Sequence, residues 1–401
     1  RGRIRPLLRE KGDKAHVDSL CQKLHDGLGA YGFPRERAVL FADDLVQSEE
    51  VFESTDRRFL AEEGGLKIFL LERQIVGQDW SRPPVPRPST NHRVTFYGIK
   101  GGVGRSTALA IWAWRLATRG KRVLLFDLDL ESPGVSSTLL PQDRLPEYGI
   151  VDWFVEDAVG QGEIVEREMI ASSPLVSASS GDIRVVSAYG RVTGEYLPKL
   201  SRCYSEFSGS GVMPWAERLQ RMVETLETAE QPDIVLLDSR AGLHDIAAAC
   251  ITRLQADTLL FAVDSAQTWA AYNFLFHHWK QFLQDEVKDW RRRLQIVAGM
   301  VPETDREAYL RGFREHAWNL FNEHLYDEAP VDGVGEFSFD LDEEGAPHIP
   351  IPVFWHRALQ QFDPARSETD LDERVAQEAL GAFMDEAERW VFSSGVAEGV
   401  S

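Results

Sequence analysis

Three cysteines in 401 residues, Cys21, Cys203 and Cys250, are too few and too widely spaced for a disulfide framework or a metal pair. A reducing, cytoplasmic setting is the expectation that follows. No apolar run approaches the roughly 18 residues that cross a bilayer, and no signal-peptide pattern opens the chain. Membrane attachment is therefore not expected. Positive charge is scarce as well: 44 Lys and Arg stand against 64 Asp and Glu, a formal net charge of -20. Non-specific binding to nucleic acid depends on cations that release counterions from phosphates, so direct nucleic-acid binding is not expected either. The basic cluster Arg291–Arg293, beside Lys288, follows EVKDW and reads as a solvated helix end.

What is there fits a globular protein of two domains: 43% hydrophobic and 27% charged residues. The chain opens on Arg1, which reads as a start inside a longer polypeptide. Residues 1–80 read as a small α+β module, truncated at its start, with RIRPLLRE as a strand, VDSLCQKLHDGLGAYG as a helix ending at Gly32, and LKIFLLERQIV as a second strand. The stretch SRPPVPRPSTN, residues 81–91, is proline-rich and reads as an extended linker. Residues 92–395 then alternate strand and helix. RVTFYGI, KRVLLFDLDL, DIRVVSAYG, DIVLLDS, DTLLFAVDS, LQIVAGMVP and IPIPVFW are apolar strand candidates. This alternation predicts an α/β fold, a mostly parallel sheet with helices on both faces. Ligands of such sheets bind beyond the carboxyl ends of the strands. The acidic stretch Gly335–Pro347 is expected to be an exposed loop. The last helix places Val375, Leu380, Phe383, Met384, Ala387 and Trp390 near one face, which is expected to pack on the domain.

Chemistry concentrates in FYGIKGGVGRSTAL, Phe96–Leu109. A glycine loop between a strand and a helix turns successive backbone N–H groups, and the positive end of the helix dipole, toward an anion. Gly101, Gly102 and Gly104 let a phosphate approach closely, and Ser106, followed by Thr107, stands where a P-loop hydroxyl binds Mg2+. Two acidic motifs accompany the loop. FDLDLESPG ends a strand with Asp127 and Asp129, and DIVLLDSRAG ends another with Asp238. Carboxylates at strand ends beside a phosphate loop can hold Mg2+ through its waters.

The stretch KGGVGRST resembles the deviant Walker A motif, KGGxGK[ST], of the ParA/MinD family of P-loop ATPases, in a variant with KGGVGR. Asp127-Leu128-Asp129-Leu130-Glu131 resembles the family's second motif, and Asp238-Ser239-Arg240-Ala241-Gly242 its Walker B strand end. The resemblance implies that Lys100 to Thr107, Val103 included, bind ATP. It implies that Lys100 crosses a dimer interface to the partner's phosphates and that Asp129 orients the attacking water. Ser106 would coordinate Mg2+, with Asp127 and Asp238 holding its water shell. ATP would join a homodimer whose state is read by a partner protein, in a bacterial conflict or signalling system.

The departures are specific. Arg105 replaces the P-loop lysine with a longer planar fork of five donors, so slow turnover is expected, since phosphoryl transfer depends on positioning. Arg240 is an additional cation in the switch stretch. The family's asparagine near the base has no match in IVAGMVPETD, and no N-K-x-D motif for guanine occurs. His277, His278, His316 and His324 lack carboxylate or cysteine partners at ligand spacing and read as ordinary helix residues.

Overall fold

The computed structural model describes residues 4–45, 48–54, 57–63, 66–71, 78–82, 84–85, 92–176, 181–204, 213–283, 288–327, 337–360 and 372–393. The chain divides into two compact units, Arg1–Gln74 and Ile75–Ser401. In the first, β1 (Leu7–Leu8) pairs in parallel with β2 (Leu40–Phe41) around α1 (Lys14–Leu28), with α2 (Ser48–Phe52) following. The predicted first strand is thus two residues long. The helix expected to reach Gly32 instead stops at Leu28, where Gly29 takes φ 52°, and a separate 3-10 turn, Gly29–Tyr31, follows. The hairpin of β3 (Arg57–Glu63) and β4 (Leu66–Leu71) was half legible: RRFLAEE carries charge at both ends and hides its strand character.

The second unit begins its sheet with β5 (Arg93–Gly98), followed by α3 (Arg105–Thr118) and β6 (Arg122–Asp127). After α4 (Val135–Leu139), α5 (Ile150–Asp157) and α6 (Gly162–Glu166) come β7 (Ile170–Ser172), β8 (Asp182–Val186), α7 (Tyr196–Cys203) and α8 (Trp215–Glu230). Then follow β9 (Ile234–Asp238), α9 (Asp245–Thr252), β10 (Asp257–Ala262) and α10 (Ala266–Phe282). The chain closes with β11 (Leu294–Val301), α11 (Arg306–His324), β12 (Ile351–Phe354) and α12 (Glu373–Ser393).

Eight strands form one sheet in the order β12-β11-β10-β5-β9-β6-β8-β7. All pairs are parallel except the edge pair β7–β8. Strand residues alternate between two packed faces, which is why these strands read as unbroken apolar runs. Phe96, Leu125, Leu236 and Phe261 face α3 and α12, among Trp112 and Phe383. Tyr97, Leu260 and Ile296 face α9, α10 and α11, while Leu124, Phe126 and Leu237 face α5 and α8. Helices therefore cover both faces. The order places β5 between β9 and β10, where the winding reverses, the position at which sheets of this kind bind ligands beyond the carboxyl ends of their strands.

Two expectations change. Arg291 and Arg293 are not simply solvated: Arg291 makes a forked pair with Asp327 at 2.7 and 3.1 Å, and Arg293 donates to the Val85 carbonyl at 3.2 Å. Of the acidic stretch, Asp340, Asp342, Glu343 and Glu344 are exposed while Phe337 and Ala346 are buried and pin it; Gly335 and Glu336 lie outside the described residues. Of the proline-rich stretch, Ser81, Arg82, Pro84 and Val85 are described and the other residues to Asn91 lie outside. Trp80, just ahead of it, is buried in the core of the second unit.

Candidate nucleotide site

Between β5 and α3 the backbone turns through Gly102 (φ 74°) and Gly104 (φ 82°), left-handed values that a side chain would strain. Gly104 caps α3 without a side-chain acceptor, so the first N–H groups of the helix are left for a ligand. Val103 is buried, and its carbonyl lies against Gly299 of β11, where a Cβ would stand 2.3 Å away. The glycine in VAGMV is thus part of the loop's seating, a signal present in the sequence but readable only once β11 is known to pass there.

Arg105 turns toward the strand-end aspartates. It is 8% exposed; its Nε donates to Asp238 at 2.9 Å and its Nη2 to Asp129 at 3.1 Å. Ser106 donates its hydroxyl to the other oxygen of Asp238 at 2.8 Å. Asp127 and Asp238 are register partners on β6 and β9, which brings both strand ends beside the helix start. The three aspartates, Arg105 and Ser106 therefore form one buried cluster. Thr107 lies behind it, lining a cavity of about 60 Å3 with Gly104, Met300, Trp355 and His356. Lys100 is apart from the cluster: its ammonium donates to Gln267 at the start of α10.

Asp127 is fully buried. Its Oδ2 accepts from the Ser136 backbone N–H at 2.9 Å and hydroxyl at 2.6 Å, while its Oδ1 has no partner. Burial, then the nearby Asp238 charge, pushes the Asp127 carboxyl up to about 7, with Ser136 opposing. Burial also raises the Asp129 carboxyl, with Arg105 opposing and Asp238 adding to the rise. For Arg105, burial works against the charge, and Asp238 and Asp129 more than offset it. Ser136 escaped sequence reading, although a serine opening the helix after the aspartate strand was a usable hint.

The orphaned Oδ1 of Asp127, the Ser106 hydroxyl and Asp238 fit a hydrated Mg2+. Among the described residues no three His, Cys, Asp or Glu side chains form a metal cage. Mg2+ does not need one, because it keeps waters and takes phosphate oxygens. Elsewhere Arg240 pairs with Glu131, so the extra cation of the switch stretch is held within the chain. The four histidines sit in local contacts: His316 with Asp264, His324 with Asn273, His277 with Gln281 and His278 with Ser81.

Residues 94–266 match the family described as the CobQ/CobB/MinD/ParA nucleotide binding domain. Over 265 residues the chain is 24% identical to nitrogenase iron protein 2 of Methanothermococcus thermolithotrophicus, spanning 63% of this chain and 83% of that protein. Among solved structures it is similar to pNOB8 ParA bound to nonspecific DNA, at 15% identity and a TM-score of 0.49, over 76% of this chain and 98% of that one. The Pyrococcus furiosus cell division ATPase MinD is similar at 16% identity and a TM-score of 0.43, over 75% and 99%. The glycine loop after the central strand and the mostly parallel strand order accord with the match of residues 94–266 to the CobQ/CobB/MinD/ParA nucleotide binding domain.

Proposed function

We propose that the chain is an ATP-binding, slowly hydrolysing, nucleotide-dependent dimeric switch of the deviant Walker A type, in its KGGVGR variant, acting through a partner protein. The observation that carries this reading is the convergence of Gly104, Arg105 and Ser106 with Asp129 and Asp238 at adjoining strand ends. Mg2+ bound with ATP supplies charge neutralisation at the phosphates. The residues that would hold it are Ser106, Asp127 and Asp238. The α3 N-terminus orients the phosphates with its unpaired N–H groups. Asp129 is the residue suited to accept a proton from an attacking water, but a carboxylate paired with a guanidinium is a poor base. Turnover therefore requires Arg105 to release Asp129 and turn to phosphate, and that is a reason for slowness. Lys100, which bonds Gln267 and stands apart from the cluster, would serve a second subunit's nucleotide.

The net charge of -20 supports a protein partner over a nucleic acid. A scaffold that binds ATP without hydrolysing it is the second reading, favoured by the double hold on Arg105. Titration with Mg-ATP, and sedimentation with and without a non-hydrolysable analogue, test the proposal. Binding with dimerisation supports it; binding by a strictly monomeric protein counts against the switch. Lys100→Ala is expected to keep monomer affinity and lose ATP-dependent dimerisation. Phosphate release with candidate partners separates the switch from the scaffold.

A further inference from the structure

The loop that follows Asp238, residues 239–243, is tied from below by a buried tyrosine. Tyr97, on β5, donates its hydroxyl to the Gly242 carbonyl at 3.2 Å, and the Gly242 N–H bonds the Gly98 carbonyl at 3.0 Å. Gly242 has φ 89°, a left-handed value that favours glycine, and open space where a side chain would be. The Tyr97 ring has no such freedom. It is fully buried, and its centroid lies 6.1 Å from that of Trp80. Trp80 is 5% exposed and also packs on Trp279, again at 6.1 Å.

Trp80 belongs to a 3-10 turn, Gln78–Ser81, at the start of the second unit. Its neighbours are fastened too. Ser81 bonds His278 at 3.3 Å, Asp79 pairs with Arg82 at 2.8 Å, and the Val85 N–H bonds the Thr252 carbonyl at 2.9 Å. Thr252 ends α9, and α9 begins directly after the 239–243 loop, at its N-cap His244. One end of α9 is thus held by the switch loop and the other by the segment that continues from the N-terminal unit.

We infer that Tyr97 and Trp80 couple the 239–243 loop to segment 78–85, so that the state of the nucleotide site is passed along the chain toward the N-terminal unit. The inference rests on the nucleotide reading above. A displaced Gly242 strands the Tyr97 hydroxyl as a buried donor without an acceptor, which is unfavourable. The ring must then shift against Trp80, or the loop must stay. The structure holds the bond made; coupling requires a second arrangement with the bond broken, which the nucleotide would favour or disfavour.

Hydrogen exchange on the full chain, with and without magnesium and a non-hydrolysable ATP analogue, tests this. Peptides covering 100–107 are expected to gain protection, and those covering 78–85 to change exchange rate several-fold. Tyr97→Phe, which keeps the ring and removes the hydroxyl, is expected to retain the first effect and lose the second. Trp80→Leu, which keeps apolar filling without the ring contact, should uncouple in the same way. Exchange at 78–85 that ignores the nucleotide, or a full response in Tyr97→Phe, overturns the inference while leaving nucleotide binding intact. No protection at 100–107 in the natural chain overturns the nucleotide reading and this inference with it.

Discussion

Removing the Arg105 guanidinium would leave Asp238 and Asp129 facing one another, buried and without a counter-charge. Breaking a buried pair by deleting one partner costs about 3–5 kcal/mol. Arg105→Ala is therefore expected to lower urea-unfolding stability by that order even without nucleotide, beyond any loss of phosphate affinity. Asp127 carries a second, opposite term. Its folded carboxyl titrates near 7 against an ordinary value of 3.8. The unfolded chain therefore releases this proton first as pH rises, and stability falls between about pH 4 and pH 7. Each pH unit of that difference weighs about 1.4 kcal/mol. Asp127→Asn without metal is expected to melt higher than the natural chain near pH 7, with the gap closing toward pH 4. A gap that does not narrow on acidification would show that the Asp127 proton is not the cause. The residue types of this site were legible in KGGVGRST, DLDLE and DSRAG. Their mutual arrangement was not, because a guanidinium can reach either a phosphate or a carboxylate and spacing alone does not choose.

The elements themselves were legible where burial on both faces writes a plain pattern. β5, β6, β9, β10 and β11 are largely apolar, broken only by residues such as Thr95 and Gln295, and each stands where the pattern placed it. The edge strand β7 and the charged strand β3 were not legible, since short or half-solvated strands carry little apolar signal. The terminal helix α12 shows the pattern at its clearest: Leu380, Phe383, Met384, Ala387 and Val391 are buried. Phe383 meets Phe96, Trp112 and Phe261 with centroids 5.9–6.2 Å apart, behind the strand that leads into the glycine loop. Phe383→Ala is expected to cost about 3–5 kcal/mol, read as a lower urea midpoint. A change below 1 kcal/mol would mean that α12 is not part of this core.

At the scale of the molecule the division falls at Gln74, ahead of Trp80. A proline-rich sequence marks where a linker can be, but composition does not reveal that its first residues are bolted to α9 and α10. A fragment beginning at residue 75 is expected to fold and bind nucleotide, and one beginning at residue 92, which lacks Trp80, to melt lower. Equal melting of the two fragments would remove Trp80 from the core of the second unit. The proposed switch turns on Arg105, which pairs with both Asp129, the carboxylate proposed to orient the attacking water, and Asp238, proposed to hold the Mg2+ water shell. Lysine restores a compact cation that cannot fork across both carboxylates. Phosphate release under saturating Mg-ATP, compared between the natural chain and Arg105→Lys, is the most direct test. The expected result is several-fold faster release in Arg105→Lys, abolished when Asp129→Asn is added; equal or slower release in Arg105→Lys would contradict the account.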